Sequence, residues 1–310
     1  MENRELLANI SQDFYFNELT IGDLAEKYQL SRYLVNKYLD DARQSGIVTI
    51  NIATPTARDR ELEQQFKEIF DIPNIYIVKD NELPEGSHEN FIKFAAEKIE
   101  TAVKDSSIVG MTWGGTIFNI IEHFNDLDLP NLTFTQFVGE NRKYNSAAGS
   151  MRMVEKAAEK FSAKYVTLSG PVYIINDAVR NGLKNEIASL DAFENSRQMD
   201  LIFSSLGTLA SINSIDTWRN GINDIFPDIN FGDIAGLAYG RPYDIHGHFL
   251  NQEHDRVFGQ DLETILATPK RIVVIKSKFK TQATLGALRG GLFTDYIITE
   301  PIARRILAEL

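Results

Sequence analysis

The sequence predicts two dissimilar parts: a small all-α helix-turn-helix domain, then a larger α/β domain built on a Rossmann-like parallel sheet. Three observations predict this. The chain has 310 residues, more than the roughly 100 to 200 of a usual single domain. Residues 20–50 carry two short helical patterns around a turn. From Ile75 onward, short apolar β-rich runs alternate with helical stretches, the rhythm of parallel strands joined by crossover helices.

The first part is read from its caps. In TIGDLAEKYQLSRYLVNKYLDDARQSGIVTI, Thr20 caps one helix and Ser31 a second, with Leu24, Ala25, Val35 and Leu39 facing inward. Small Ala25 lets the two helices cross closely, Leu30 plugs the turn, and the second helix opens away from the core. Arg32, Tyr33, Asn36 and Lys37 then form its outer face, where Arg and Asn pair with base edges and Lys with phosphate. Arg43 adds a backbone contact, and Asp40 and Asp41 have to tilt away from the phosphates. Acidic side chains slightly outnumber basic ones over residues 1–60, so docking geometry rather than charge carries the DNA reading. A helical hairpin used for dimerisation is the alternative.

After Gly46, IVTINI reads as a short strand closing the module, and Thr54-Pro55-Thr56 as a break. From Arg58, RDRELEQQFKEIF reads as an exposed helix linking the two parts. The expected domains are residues 1–52 for DNA binding, 53–62 as linker, and 63–310 for effector binding and oligomerisation.

In the second part the strands are NIYIV, SIVGMTW, LTFTQFVG, KYVTLSG, DLIFSSLG, RIVVIKS and DYIITE, separated by helical segments such as FIKFAAEKIETAV and MRMVEKAAEKF. Several are apolar at nearly every residue, as strands covered on both faces are. Ligands of such sheets sit at the carboxyl ends of the strands, so those ends supply the candidates. Thr112-Trp113-Gly114-Gly115-Thr116 leads from a strand into the helical IFNIIEHF, which suits backbone amides binding an anion; tight-turn geometry alone also uses glycine. Asn141, Arg142 and Lys143 follow another strand, where the cations hold a phosphate or carboxylate or simply face solvent. Asp233 and Asp244 are carboxylates suited to sugar hydroxyls. Lys276, Lys278 and Lys280 lie between a strand and a helix beginning near Thr281, placed to close over an anion.

Composition limits the function classes. With 43% hydrophobic and 24% charged residues, the chain is too apolar for disorder. The absence of cysteine excludes disulfides, thiolate zinc sites and cysteine nucleophiles, and suits a cytoplasmic location. MENRELLANISQDF lacks the basic and apolar regions of a secretion signal, and no apolar run approaches the roughly 18 residues that span a bilayer, so no membrane partner is expected. A formal net charge of −11 argues against coating nucleic acid along the whole chain, leaving local DNA contact. His246, His248, His254 and Asp255 look like a metal-ligand list, yet neighbours two residues apart share a metal only in extended backbone, and neither a metal nor a cofactor is expected.

The helix-turn-helix, the GMTWGGT turn, the GDIAG segment, the Tyr-Asp-x-x-Gly turn and the terminal K-x-x-A-x-x-x-A-L-R-G-G pattern together resemble the SorC family of sugar-responsive transcriptional regulators. The resemblance covers nearly the whole chain. Its most specific part runs from Lys280 to Gly291, with Thr299-Glu300 beginning eight residues on. It implies an effector domain related in fold to sugar-phosphate isomerases and deaminases, a phosphorylated sugar or similar anion as effector, and a homodimer or homotetramer on operator DNA. Carried over by position, Gly114, Gly115 and Thr116 match the phosphate turn, Asp233 the Gly-Asp-Ile position, and Lys280 the effector-contacting lysine. The sequence departs from the family at Ile275-Lys276-Ser277, where a small Ala-Gly-Gly stretch is common, and at Gly115, where Arg is common. The extra cations Lys276 and Lys278 suggest a more highly charged anion, such as a di- or tricarboxylate.

The leading expectation is thus a ligand-controlled DNA-binding protein and not an enzyme. The rival is an enzyme of the isomerase or deaminase type, with Asp244 and His246 as its acid–base pair, which leaves the helix-turn-helix unexplained. A protein-interaction module without DNA binding is a third reading, prompted by the acidic balance of the first part.

Overall fold

The computed structural model describes residues 2–48, 57–79, 84–141 and 150–310, and the chain separates into units Met1–Pro55 and Thr56–Leu310. The first unit holds helices α1 (Glu2–Tyr15), α2 (Ile21–Lys27) and α3 (Arg32–Gln44). Thr20 opens α2 through a reciprocal cap: Asp23 N donates to Thr20 Oγ1 at 3.2 Å and Thr20 N donates to Asp23 Oδ2 at 3.0 Å. Ser31 opens α3 by accepting from Leu34 N at 3.2 Å. Gln29 takes the left-handed conformation in the turn between them, at φ 55°, so Leu30 reverses direction and packs on the buried cluster of Ile10, Leu24, Val35 and Leu39. Ile10 comes from α1, a helix the sequence reading did not assign, and it closes the face that two helices alone leave open. The expected IVTINI strand lies largely outside the described residues; Ile47 and Val48 are not in a strand.

The second unit begins with α4 (Arg60–Phe70) and β1 (Asn74–Val78), followed by α5 (Pro84–Lys104), β2 (Ile108–Met111), α6 (Gly115–Glu122), β3 (Thr133–Gln136), α7 (Ser150–Lys160) and β4 (Lys164–Val166). Next come α8 (Asp177–Lys184), α9 (Ile187–Arg197), β5 (Leu201–Ser204), and the short helices α10 (Leu209–Asn213), α11 (Asp216–Asn220) and α12 (Ile222–Ile225). A hairpin of β6 (Gly236–Ala238) and β7 (Arg241–Tyr243) precedes α13 (Leu262–Ala267), β8 (Lys270–Ile275), α14 (Thr281–Arg289), β9 (Asp295–Thr299) and α15 (Glu300–Leu307).

Seven strands form one sheet in the order β1-β9-β8-β5-β2-β3-β4, every adjacent pair parallel. All seven correspond to the runs read from the sequence. Successive residues alternate between two cores. Val273 and Ile275 pack on one face with α4, α14 and α15, whereas Ile272 and Val274 pack on the other with α5, α6 and α7. Coverage on both faces is why the inner strands β5 and β8 are largely apolar, whereas the edge strand β4 is exposed. After β2 the chain builds outward through β3 and β4, then returns to place β5 on the other side of β2. The β2–β5 boundary is therefore the switch point, where the carboxyl ends of the strands leave a crevice.

The expectation of an exposed linking helix from Arg58 is corrected here. Leu62 and Phe66, one turn apart on α4, are buried in the sheet's core. Glu63 Oε1 accepts from Arg58 Nε at 2.7 Å and from Ile77 N at 2.9 Å, so Arg58 and α4 belong to the large unit. Among the described residues, no helix is long and apolar enough to cross a membrane.

Candidate functional site

β2 ends at Met111, and Thr112-Trp113-Gly114 turns the chain into α6. Gly114 is the N-cap, at φ 137° and ψ 156°, with no side-chain cap, a backbone region that side-chain-bearing residues rarely adopt. The first-turn amides of α6 are therefore not occupied by a capping side chain, and the helix dipole adds partial positive charge there. β5 ends beside it and continues into Ser205, Leu206 and Gly207. From the opposite side, Lys280 at the start of α14 donates from Nζ to the Leu206 carbonyl, and burial pushes its amine pKa below the ordinary lysine value.

Between these ends lies a cavity of about 400 Å³, lined by Gly114, Gly115, Thr116, Asn141 and Lys280 and extending to Ser205, Ser211, Ser214, Tyr173 and Trp218. None of its described lining residues is an aspartate or glutamate. Thr112, only 7% exposed, also lines it, and its Oγ1 has no hydrogen-bond partner among the described residues. The Tyr173 and Trp218 rings meet edge to face at 5.2 Å, and Tyr173 Oη donates to the Gly240 carbonyl at 2.7 Å. An adjoining open groove shares Gly115, Thr116 and Lys280 and adds Lys276 and Asn119. The arrangement supplies amides, hydroxyls and one half-buried amine to an anion, and rings to whatever the anion is attached to.

Five of the sequence-read candidates, Gly114, Gly115, Thr116, Asn141 and Lys280, therefore meet in one cavity. Arg142 and Lys143 lie outside the described residues. Asp233 and Asp244 do not reach this cavity; they line a separate opening with His246 and Gln282. The reason is the hairpin: Asp233 precedes β6 and Asp244 follows β7, so both sit at its open end. Its turn, Tyr239 at φ 55° and Gly240 at φ 81°, is what lines the cavity. Asp244 holds its own loop, accepting from His246 N at 2.8 Å and His248 N at 2.9 Å. Burial pushes its pKa up, but the His248 and His246 amides outweigh this and hold the carboxyl below its ordinary value.

The rival pairing of Asp244 with His246 is not formed side chain to side chain. The His ring facing Asp244 is that of His248, at 3.3 Å, and His254 lies 3.9 Å from Asp228 instead. The expectation for Lys278 is also corrected: it is exposed and sits 5.8 Å from the Phe279 ring, and it lines neither the cavity nor the groove. Tyr173 and Trp218 were not among the sequence-read candidates, and Thr112 was read only as part of the turn. Trp218 had a signal, being one of only two tryptophans in the chain.

In the first unit Arg32, Tyr33, Asn36 and Lys37 are all exposed on α3, with Tyr33 at 76%. Asn36 Nδ2 donates to the Arg32 carbonyl at 3.0 Å. Arg43 pairs with Asp40, which neutralises an acid on this helix and occupies the arginine expected to contact the DNA backbone.

Comparison with known proteins covers both units. Residues 54–308 match the family described as "Putative sugar-binding domain". The deoxyribonucleoside regulator of Bacillus subtilis is 22% identical over 314 aligned positions, covering 100% of this chain and 99% of that protein. The sorbitol operon regulator of Klebsiella pneumoniae is 21% identical, covering 99% and 100%. The crystal structure of full-length SorC, the sorbitol operon regulator of Klebsiella pneumoniae, superposes with a TM-score of 0.74 at 20% identity, covering 98% of this chain and 99% of that one.

Proposed function

The chain belongs to the sugar-binding domain family, and we propose that it is a transcriptional regulator of the SorC type whose hold on operator DNA is set by a small anionic metabolite. The effector is a phosphorylated sugar or a related carboxylate. The observation that carries this reading is the convergence of the α6 N-terminus and Lys280 on one cavity with no acid among its described lining residues. Such a site favours a negative group and repels none. The regulatory role is supported by relatives that are named regulators and align over nearly their full length.

On the DNA side, α3 is the recognition helix. Arg32 and Asn36 read base edges while Tyr33 and Lys37 contact the backbone. The acidic balance of the first unit leaves a single module weak, so affinity comes from several modules held together in a homodimer or homotetramer. The site of action is the cytoplasm. Effector binding shifts the assembly between arrangements that differ in half-site spacing, by differential affinity.

The test uses the full chain. Retention on its promoter fragment is measured for the native protein and for the Arg32→Ala, Asn36→Ala double variant, alongside the melting temperature in a panel of phosphorylated sugars and carboxylates. The expected results are loss of base preference in the variant and a raised melting temperature with an anion, by linkage. Unchanged base preference overturns the recognition helix, and stabilisation by neutral sugars alone overturns the anionic effector.

A further inference from the structure

One wall of the cavity comes from a short stretch of chain. Ser211 lies in α10, Ser214 caps its end, Trp218 follows in α11, and all three line the cavity. Ser211 and Ser214, three residues apart, are neighbours on that helix end, and their hydroxyls are committed in opposite senses. Ser211 Oγ accepts from Thr208 N at 3.1 Å, and its proton goes to no described residue. Ser214 Oγ donates to the Ser211 carbonyl at 2.8 Å, which leaves its lone pairs open. We propose that the two serines read one hydroxyl of the effector's body, Ser211 donating to its oxygen and Ser214 accepting its proton. This rests on the anion reading above and assigns the residues that recognise what the anion is attached to.

A hydroxyl is the group that fits, because it both donates and accepts. A carboxylate oxygen only accepts, so it meets Ser211 and leaves Ser214 without a donor. A hydrocarbon body leaves both serines unmet once it has displaced their water, and an unmet hydrogen-bonding group is costly. Tyr173 Oη repeats the preference: it donates to the Gly240 carbonyl at 2.7 Å and is left as an acceptor. The Trp218 ring, edge to face with Tyr173 at 5.2 Å, gives the carbon skeleton an apolar surface while the serines hold its oxygen. A sugar or sugar alcohol, with hydroxyls and C–H groups side by side, meets both kinds of wall. The cavity, about 400 Å³, is ample for such a body together with an anionic head at the α6 amides and Lys280.

Calorimetry on the full-length chain separates body from head with three probes. Ribose 5-phosphate and glucitol 6-phosphate carry hydroxyls, whereas n-butyl phosphate carries the same head on bare carbon. The tighter of the two hydroxyl-bearing probes is expected to bind about tenfold better than butyl phosphate, the ratio that two hydrogen bonds supply. Ser214→Ala is expected to remove most of that ratio while leaving the butyl phosphate affinity within about twofold. Ser211→Ala is expected to do the same; because it also takes the acceptor from Thr208 N, its butyl phosphate affinity serves as the control for an intact cavity. Butyl phosphate binding as tightly as both hydroxyl-bearing probes overturns the inference alone. So does a ratio that Ser214→Ala leaves unchanged. Failure of all three probes to bind overturns it together with the anion reading.

Discussion

Replacing each glycine of the Gly114-Gly115 pair by alanine, one at a time, separates two roles that look identical in the sequence. Gly114 sits at φ 137°, and a Cβ there would come within 3.3 Å of Ser205 Oγ. Holding a side-chain-bearing residue in such backbone costs about 1 to 3 kcal/mol, and the hydroxyl must also yield by a few tenths of an ångström. Gly115 is the first residue of α6, with nothing within 4 Å of its would-be Cβ. Alanine there gains up to about 0.5 to 1 kcal/mol from reduced freedom of the unfolded chain and better helix propensity. The two variants should therefore differ by about 1.5 to 4 kcal/mol, with Gly114→Ala the weaker. Urea unfolding followed by tryptophan emission measures this cleanly, since Trp113 and Trp218 both lie in the Thr56–Leu310 unit. Gly115→Ala should fold normally yet bind anions less well, because its methyl enters the cavity. Equal midpoints for Gly114→Ala and the native chain, or a larger loss in Gly115→Ala, would refute the reasoning.

Two further predictions concern the first unit. Thr20→Ala removes the side-chain half of the reciprocal cap with Asp23 and should cost about 0.5 to 2 kcal/mol, seen as a lower melting temperature by circular dichroism, with Thr20→Ser restoring most of it. Asp13 accepts hydrogen bonds from Lys27, Tyr28 and Asn17, which hold its pKa down at about 2. A carboxyl depressed in the folded state stabilises above its unfolded pKa of about 3.9 and loses that contribution as pH falls toward the folded value. Acid titration of the native chain between about pH 4 and pH 2 should therefore show a loss of helix signal whose steepness falls in Asp13→Asn; identical acid profiles would remove Asp13 from the account.

The elements that the sequence revealed are those set by local chemistry. Thr20 and Ser31 announce helix starts because an N-cap hydroxyl accepts from the first amides, and the inner strands, β5 and β8 above all, are legible because burial on both faces makes them largely apolar. The Gly114-Gly115-Thr116 turn and Lys280 were legible from their position at strand ends. Which residues share a cavity was not legible, because that depends on tertiary geometry. Asp233 and Asp244 flank a hairpin whose length and direction decide which end reaches the cavity, and nothing local records that. Lys278 and Lys280 differ only in how a 3₁₀ turn, Lys278–Lys280, orients them. Trp218 and Tyr173 come from segments of irregular or short structure and are joined only by packing. Helix α4 was misread as exposed because its charged residues mask the Leu62 and Phe66 stripe, which its i, i+4 spacing did contain.

The central claim is that an anion in the α6–Lys280 cavity controls DNA binding. Its most direct test is fluorescence anisotropy of a labelled promoter fragment, titrated with the anion that most raises the melting temperature of the full chain, on the native protein and on Lys280→Gln. The account predicts an operator affinity shift of roughly 5- to 150-fold in the native protein, and a variant that binds the same DNA but no longer responds. An unshifted native affinity, or a Lys280→Gln variant that responds like the native chain, would contradict it.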